Sequence, residues 1–592
     1  MIHDLQGTIY RLESGRGARM IRLALALLVF CGLAVYYDTH FGVNFRGEEA
    51  MDSAQVARNL AEGRGFSTRY VRPFSLYLLA RQGAGAKTLQ ETAHPDLANA
   101  PAYPLFLAGL MKVLPIHKEI DPTGGKNFQI YQPEAWIGAA NQVLFLVALI
   151  LVFQLAVKLF DEPTAWVASV AFAGSEIYWR LSASGVASML LVVISLLLFW
   201  VLAALDGELR SETPRLSRVW GLAAGLGGLA AVGALTRYSF GWIMIPVALY
   251  LAVYGGKSRA GLVAVPGVVF LLVLSPWMAR NHALCGNPFG VAGYAAAELT
   301  SGVFPGDKLA RSSNPTSGLG QLGARDYQGK LASNAHDILQ RKMPTLGANW
   351  IFMMFLAGLL IPFHNRRLQR LRYFLLVVIP VFLVAEALGK THLSLEAGDV
   401  SSENLLVLAA PATFIFGASF LCTLLEHLNM APPLRAVMVA GFAAAAALPF
   451  LVGLLVDHGS AVAYRAYPPY YPPAIRAICG WMKPGEAVMS DIPWAVAWYG
   501  DTEGVGLALD AKPEFERVSS ERGNVKAVLL SAKFLGESFR SLVGGQNGWG
   551  GLALSVIATG KTPPGFPLAA VLPDLLPDEV VVSDSPRWAA GR

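Results

Sequence analysis

The sequence is short of charged residues for its length. Of its 592 residues, 47 are Lys or Arg and 41 are Asp or Glu, so that only 15% are charged, whereas a soluble chain carries about 25%. It is 54% hydrophobic, with a mean hydropathy of +0.46. This deficit argues against a soluble multidomain enzyme, and the long apolar runs argue against a disordered or fibrous chain because they would collapse in water. The composition therefore indicates a polytopic membrane protein.

Cysteine is also scarce. Cys31, Cys285, Cys422 and Cys479 have neither the spacing of a zinc site nor that of a disulfide framework. A bridge between Cys285 and Cys479 stays open only if both face an oxidising compartment. The C-terminal segment has no G-x-G-x-x-G or P-loop between a strand and a helix, so nothing supports nucleotide binding there. The net charge of +6 is spread over many loops, which indicates helix orientation in a bilayer rather than a nucleic-acid partner.

Long apolar runs predict about eleven membrane-spanning helices. A spanning helix needs roughly 20 predominantly apolar residues. Runs of that kind lie near 20–37, 135–158, 164–180, 186–205, 219–236, 239–254, 260–278, 349–364, 373–389, 403–424 and 435–456.

Basic residues orient this bundle. Clusters of Lys and Arg precede the first span and follow the fourth, sixth and eighth, and all four fall on one side if residues 1–19 are cytoplasmic. The opposite side then receives three larger pieces: a first outer loop at 38–134, a second at 279–348 and a C-terminal segment at 457–592. We therefore expect a multi-pass protein of the cytoplasmic membrane with an extracytoplasmic C-terminus.

The outer pieces are predicted to fold. Residues 50–62 predict an amphipathic helix that Gly63 and Gly65 end, and the proline-bounded run 101–115 predicts an interfacial helix that is too short to span. In the C-terminal segment, the apolar runs 487–489, 505–509 and 525–530 alternate with helical patches, which predicts a small extracytoplasmic α/β domain.

Three carboxylates follow the first span directly. Glu48 and Asp52 are spaced to share one helix face, with Glu49 beside them. Acidic residues also favour the first turn of a helix through its dipole. The alternative that these acids only stabilise the start of the helix therefore stays open. Arg237 and Arg280 lie at outer ends of spans, where each could simply reach toward lipid headgroups. Together with the acids they predict a pocket that holds an anion beside a base.

These residues carry a resemblance to a known family. The segment from Glu48 to Phe66 resembles the Asp-Glu motif and following helix of the GT-C superfamily of integral membrane glycosyltransferases. The nearest branch is similar to bacterial protein O-mannosyltransferases and to the aminoarabinose transferases that modify lipid A. Similar motifs follow in chain order: Pro101-x-Tyr103-Pro104-Leu105, Leu235-Thr236-Arg237, Pro276-Trp277-x-x-Arg280-Asn281 and Asp491-Ile492-Pro493-Trp494.

The chain departs from the family pattern at three places. The first acid of the motif is Glu48 instead of Asp, residues 180–186 hold no second acid, and Asn404-Leu405 replaces an Arg-Tyr pair. The last two changes remove side chains that metal binding and one phosphate contact would use. No metal or other cofactor is therefore predicted, and a divalent ion is unsupported.

Compartment and resemblance together predict a reaction. Nucleotide sugars are absent outside the cytoplasmic membrane, so an outer transferase needs a lipid-borne donor such as a polyprenyl-phosphate sugar. Its phosphate leaving group would be neutralised by Arg237 and Arg280, and the acceptor hydroxyl would lose its proton to a carboxylate. The expected base is Glu48, then Glu49, with Asp52 orienting or assisting, and one base without an acid implies inversion. The resemblance adds Arg58, Tyr103 and Tyr238 as substrate contacts.

Two other classes stay open. A transporter would have related halves or ionisable groups at mid-membrane, whereas the ionisable residues here cluster at one boundary. A catalytically lapsed envelope scaffold is the second alternative, because the family's second acid is missing. The resemblance implies a bacterial inner membrane, and the acceptor stays open among lipid, protein and polysaccharide.

Overall fold

The computed structural model of the protein describes residues 16–41, 45, 47–83, 93–117, 119–121, 128, 130–343, 350–360, 365–428, 431–456, 471–522, 524–535, 548–572 and 579–588. Most of the predicted cytoplasmic N-terminus, residues 1–15, and the first part of the predicted C-terminal domain, residues 457–470, lie outside these ranges. The described chain is mainly helical, with a six-stranded sheet.

The helices follow one another along the whole chain. Up to residue 285 they are α1 (Arg16–Phe41), α2 (Glu48–Ala61), α3 (Pro73–Arg81), α4 (Ala102–Val113), α5 (Gln132–Leu159), α6 (Glu162–Ala173), α7 (Glu176–Ala183), α8 (Ser188–Leu209), α9 (Leu216–Thr236), α10 (Met244–Tyr254) and α11 (Arg259–Cys285). After it they are α12 (Lys308–Arg311), α13 (Thr316–Gln321), α14 (Ala324–Asp337), α15 (Trp350–Gly358), α16 (Arg366–Gly389), α17 (His392–Ala397), α18 (Leu406–His427), α19 (Pro432–Val456), α20 (Pro472–Gly480), α21 (Pro493–Gly500), α22 (Pro513–Arg522), α23 (Ala532–Leu535) and α24 (Trp549–Thr559).

Eight helices in the described chain are long and apolar enough to cross a membrane. They cover Met20–Phe41, Gln132–Leu159, Ser188–Leu209, Leu216–Thr236, Gly256–Cys285, Leu368–Gly389, Leu406–His427 and Pro433–Leu454. Several carry large apolar side chains that are more than half exposed, such as Leu271 and Leu272 of α11, and a bilayer would cover these. The chain is a multi-pass membrane protein, as its composition predicts.

The other three of the eleven predicted spans are not among these eight helices. The run 164–180 is divided between α6 and α7, since α6 ends before Gly174. A side chain at Gly174 would meet the backbone of Ala447 at 2.6 Å. The run 239–254 begins as a 3-10 helix, Tyr238–Ile243, and only α10 is α-helical. In the run 349–364, α15 covers nine residues, and 361–364 lie outside the described ranges.

A tight turn after α9 carries one of the predicted site residues. Arg237 leaves the helical conformation, with φ −150° and ψ 120°, and the 3-10 helix folds straight back against α9. Gly233 permits this, since a Cβ there would lie 2.2 Å from the ring of Phe240. The turn therefore places the Arg237 side chain at the end of the bundle instead of within a span.

The sheet joins two distant parts of the chain. Its strands are β1 (Tyr70–Val71), β2 (Ala487–Ser490), β3 (Glu503–Gly506), β4 (Val525–Leu530), β5 (Ala570–Val571) and β6 (Val580–Ser583), in the order β1-β3-β2-β4-β6-β5. The first four strands are mutually parallel, and β6 and β5 are added antiparallel. The predicted runs 487–489 and 525–530 lie in β2 and β4, whereas the predicted run 505–509 shares only residues 505–506 with β3. The unexpected member is β1, which comes from the first outer loop.

Both faces of this sheet are covered. Val488 and Leu529 pack into the same apolar cluster as the helical bundle, whereas Met489, Val505 and Val528 pack into a second cluster with Phe74 of α3 and with α24. A parallel sheet buried on both faces needs nearly continuous apolar strands, which explains the short apolar runs of the C-terminal segment. The C-terminal sheet is therefore seated on the bundle and on the first outer loop.

The cysteines form no bridge. All four are free thiols. Cys285 ends α11, where its Sγ lies 3.1 Å from the carbonyl of Asn281, and Cys479 is buried in α20. The Cys285–Cys479 disulfide that the sequence left open is therefore absent.

Candidate active site

The three carboxylates stand on the first turns of α2. The helix begins at Glu48, after Gly47 in extended conformation, and ends at Ala61 before Gly63 adopts a positive φ of 79°. Glu48 and Asp52 are each only 2% exposed. The dipole explains acids in a first turn, but it does not explain why these acids are buried.

Arg72 joins two of these acids. Its Nη2 donates to Oε1 of Glu48 and to Oδ2 of Asp52, each at 2.8 Å, which confirms that Glu48 and Asp52 share one helix face. Arg72 lies between β1 and α3, and its guanidinium stacks on the ring of Tyr70 at 3.9 Å. The sheet therefore holds the cation that pairs with the acids of α2.

His392 contacts the second oxygen of Glu48. Its Nε2 lies 3.1 Å from Oε2 of Glu48, and its Nδ1 hydrogen-bonds to Glu298. Burial alone would raise the pKa of Glu48, but His392 and Arg72 outweigh it and lower that pKa to about 2. Burial would lower the pKa of His392, but Glu48 and Glu298 raise it well above the usual 6.5. Glu48 is therefore a carboxylate between two cations.

Glu49 points to a second group of residues. Its Oε1 accepts hydrogen bonds from Arg237 Nη1 at 3.3 Å and from the Ser402 hydroxyl. Its Oε2 accepts from the Ser401 hydroxyl and from the Ser402 backbone, each at 3.2 Å. Arg237 also donates to Glu403 at 2.8 Å. The Arg237 side chain is 21% exposed, so that it is the more accessible partner in this group.

The neighbours of Glu403 favour the ionised form of its carboxyl group. Burial would raise the pKa of Glu403, but Arg237 and the hydroxyl and backbone of Thr391 lower it. Thr391 donates to both oxygens of this carboxylate, at 2.6 and 3.0 Å. Arg237 therefore pairs with two carboxylates, Glu49 and Glu403.

Arg280 reaches the site through Asp96. Its Nη1 donates to the Asp96 carbonyl at 3.0 Å, while the Asp96 carboxylate accepts from the backbone of Asn99 at 3.0 Å. The amide of Asn99 in turn donates to Oδ2 of Asp52 at 2.8 Å. Burial, and then Asp52, raise the pKa of Asp96 to about 6. In the described chain Arg237 and Arg280 share no hydrogen-bonding partner, and Arg280 stabilises the loop that holds Asp52.

The other predicted contacts lie outside the acidic cluster. Tyr238 accepts from Asn281 at 3.3 Å, and so links the segments that carry Arg237 and Arg280. Tyr103 donates to the carbonyl of Gly185 at 2.7 Å, and Arg58 donates to carbonyls of α21. These contacts favour structural roles for Tyr103 and Arg58, and their contact with substrate stays a prediction.

Sequence reasoning missed most of the residues in this cluster. The missed residues are Arg72, Asp96, Asn99, Glu298, His392, Ser401, Ser402 and Glu403. They lie in connecting segments, and only Ser401, Ser402 and Glu403 are consecutive. The available signal was position, because His392 and Glu403 lie in the short segment between two spanning helices, α16 and α18. Among the described residues, no group of three or more His, Cys, Asp or Glu side chains has a geometry that could hold a metal ion.

The architecture belongs to a known class. The described chain has the GT-C fold, a multi-pass helical bundle with a small C-terminal sheet region. Among solved structures, ArnT from Cupriavidus metallidurans bound to undecaprenyl phosphate has this fold. The TM-score is 0.54 at 12% sequence identity, over 97% of this chain and 99% of ArnT.

Two further solved structures match the chain with lower TM-scores. The oligosaccharyltransferase AglB from Archaeoglobus fulgidus, in complex with an inhibitory peptide and a dolichol-phosphate, gives a TM-score of 0.47 at 13% identity, over 83% of this chain and 69% of AglB. The apo state of the Cupriavidus ArnT gives 0.37 at 12% identity, over 96% of this chain and 98% of ArnT. No protein-family model matches the chain, and no curated protein matches its sequence.

Proposed function

We propose that this protein is an inverting glycosyltransferase. It moves a sugar from a polyprenyl-phosphate donor to an acceptor hydroxyl at the outer face of a bacterial cytoplasmic membrane. The observation that carries the proposal is the convergence of Glu48, Glu49 and Asp52 with Arg237, which is 188 residues away from Glu49, at the ends of the spanning helices. The shared fold with a structure that holds undecaprenyl phosphate supports the choice of donor.

Arg237 is the proposed phosphate-binding residue. Its guanidinium is 21% exposed, and Glu49 and Glu403 hold it in place. A leaving phosphate needs a cation that is already oriented, since charge-assisted hydrogen bonds then act without reorganisation. The donor phosphate would take over part of the coordination that Glu49 now supplies. Arg280 would not bind the phosphate directly. It would act through its hydrogen bond to the backbone carbonyl of Asp96.

The acidic cluster supplies the proton acceptor. The acceptor hydroxyl must lose its proton as its oxygen bonds to the anomeric carbon, and a carboxylate on the side opposite the phosphate can take it. One displacement of this kind inverts the anomeric centre. The acceptor is a lipid, a protein or a polysaccharide that carries an accessible hydroxyl.

The test is donor turnover by the purified protein in lipid nanodiscs. Polyprenyl-phosphate hexoses and pentoses are supplied with envelope extract, and release of free polyprenyl phosphate is measured. Arg237→Gln is expected to raise the donor KM about ten- to a hundred-fold, because charge-assisted hydrogen bonds contribute about 1.5–3 kcal/mol. The control is Arg64→Gln, since the Arg64 side chain pairs with Glu62 and hydrogen-bonds to Asn59 within its own segment.

Mass spectrometry of envelope lipids and proteins after deletion of the gene identifies the acceptor by the sugar that it loses. If the wild-type protein releases no polyprenyl phosphate from any donor, and instead moves a solute across vesicles, the proposal is wrong and a transporter replaces it.

A further inference from the structure

One carboxylate oxygen in the acidic cluster stands apart from the rest. Glu48, Glu49 and Asp52 together have six side-chain oxygens, and five of them accept hydrogen bonds from the described residues. The sixth, Oδ1 of Asp52, is buried and has no partner in the described part of the chain. The three acids therefore have different contacts, although the sequence places them within five residues of each other.

Glu48 is poorly suited to accept a proton. Arg72 binds one of its oxygens at 2.8 Å, and His392 binds the other at 3.1 Å. Both partners stabilise the ionised form, and the pKa of Glu48 falls to about 2. A base is most effective when its pKa lies near the working pH. Glu48 therefore serves to hold Arg72 and His392 in position.

Glu49 is occupied in a similar way. Arg237 and Ser402 donate to one of its oxygens, and Ser401 and the Ser402 backbone donate to the other. Both oxygens of the Glu49 carboxylate therefore already accept hydrogen bonds, one of them from Arg237, the proposed phosphate-binding residue. Displacement of Glu49 by a donor phosphate would leave Arg237 in place, because Glu403 still holds it.

Asp52 has the opposite pattern. Its Oδ2 is fixed by two donors, Arg72 and Asn99, each at 2.8 Å. These two contacts orient the carboxylate while they leave Oδ1 without a donor. A buried acceptor that has no donor costs folding free energy, and its presence is explained if a substrate hydroxyl supplies the missing hydrogen bond. Gln55, one turn along the same helix, also has an unpartnered buried group, its Nε2.

We infer that Asp52, instead of Glu48, is the catalytic base of the proposed transfer reaction. The acceptor hydroxyl donates its hydrogen bond to Oδ1 of Asp52. As the acceptor oxygen bonds to the anomeric carbon, its proton passes to Oδ1, and the bond from that carbon to the phosphate oxygen breaks with its electron pair on the phosphate. Glu48 keeps Arg72 and His392 in place during this step. The inference rests on the proposed glycosyltransferase function.

The experiment removes the base and supplies a nucleophile that needs none. Asp52→Ala and Asp52→Asn are assayed with the donor that the wild-type protein turns over. Each is expected to lower kcat by about 100- to 10,000-fold. Azide carries no proton to be removed, so it is expected to restore donor consumption in Asp52→Ala and to yield a glycosyl azide.

Two further variants make the result specific. Glu48→Gln also lowers turnover, because Arg72 loses a partner, but azide is not expected to restore it, since Asp52 is intact. Glu62→Gln, at the exposed end of the same helix, is the control for general effects on α2. The isosteric Asp52→Asn and a melting curve show whether loss of activity reflects loss of the fold.

The outcomes separate the two proposals. Wild-type rates in a folded Asp52→Asn, or azide rescue of Glu48→Gln in place of Asp52→Ala, would overturn the assignment of Asp52 and leave the glycosyltransferase proposal standing. A wild-type protein that turns over no lipid-phosphate sugar would overturn both.

Discussion

At the scale of single residues, the site is a set of alternating charges. Glu298, His392, Glu48, Arg72 and Asp52 follow one another, each in hydrogen-bond contact with the next. Buried charges are tolerated when every one is paired, and breaking one pair leaves its partner as an uncompensated buried charge. Removing any one of these five side chains should therefore destabilise the fold by more than the loss of its own hydrogen bonds, because a neighbouring buried charge is left unpaired.

The pair formed by Glu48 and His392 predicts a pH dependence of stability. The pKa of Glu48 is lowered from 4.5 to about 2, so its contribution is present above pH 4.5 and is lost as the pH falls toward 2. The pKa of His392 is raised from 6.5, so its contribution is complete below pH 6.5 and is lost as the pH rises through the folded value. The pair therefore stabilises the fold most between about pH 4.5 and 6.5.

The measurement compares wild-type protein with His392→Gln in thermal unfolding from pH 5 to pH 9. The difference in Tm should be largest near pH 5 to 6 and should shrink as the pH rises further. His336→Gln is the control, because His336 is exposed on α14. A difference that stays constant over this range would mean that His392 is not charged in the folded protein.

At the scale of elements, hydrogen bonds connect the segment 279–348 to the segment between α16 and α17, next to His392. Lys330 of α14 is 4% exposed, and its Nζ donates to the carbonyls of Ala295 and Glu298, at 2.6 Å each, and of Lys390 at 2.8 Å. Burial lowers the pKa of Lys330 to about 8, so that the ammonium stays mainly charged at neutral pH. One side chain thus fixes two residues that flank the site, Glu298 and Lys390.

Lys330→Met should destabilise this region strongly. The change leaves three carbonyls without their donor, and hydrogen bonds to a charged group contribute about 1.5–3 kcal/mol each, so a loss of about 3 kcal/mol or more is expected. Thermal unfolding in detergent measures it, with Arg325→Met on the exposed start of α14 as the control. Equal melting temperatures for the two variants would show that the hydrogen bonds of Lys330 do not stabilise this region.

At the scale of the whole molecule, the C-terminal segment is built onto the helix that carries the acids. Arg58 of α2 donates to the carbonyls of Trp498 and Ala497, at 2.9 and 2.6 Å, and pairs with Asp501 at 3.0 Å. These carbonyls end α21, where the helix dipole attracts a cation. Together with the pairing of β1 and β3, Arg58 makes the sheet a support for the site.

Arg58→Met should loosen that support without unfolding the sheet. Hydrogen exchange of α2 is expected to increase, and turnover of the donor to fall, while β2 and β4 stay protected. The control is Arg476→Met, which removes a hydrogen bond to the carbonyl of Gly500 within the C-terminal segment itself. If α2 exchanges no faster in Arg58→Met than in Arg476→Met, the segment does not support the site in this way.

Some elements could be predicted because their signals are local. The i to i+4 spacing of Glu48 and Asp52 predicted their common face, and the apolar runs at 487–489 and 525–530 predicted strands. The two-residue strand β1 could not be predicted, since Tyr70 and Val71 pair only because β3 lies beside them. The close approach of Ala447 to Gly174, where 164–180 divides into two helices, is likewise a contact between distant parts of the chain.

The sequence by itself determined the class of the protein and the place of its acids. Apolar run length decides whether a segment can cross a bilayer, and both run length and helix spacing are properties of adjacent residues. Only the tertiary structure decided the partners of those acids. His392 is 344 residues from Glu48, and such a contact depends on how the helices and the sheet pack. Packing thus assigned the cations to Glu48 and Glu49, and left one oxygen of Asp52 without a partner in the described chain.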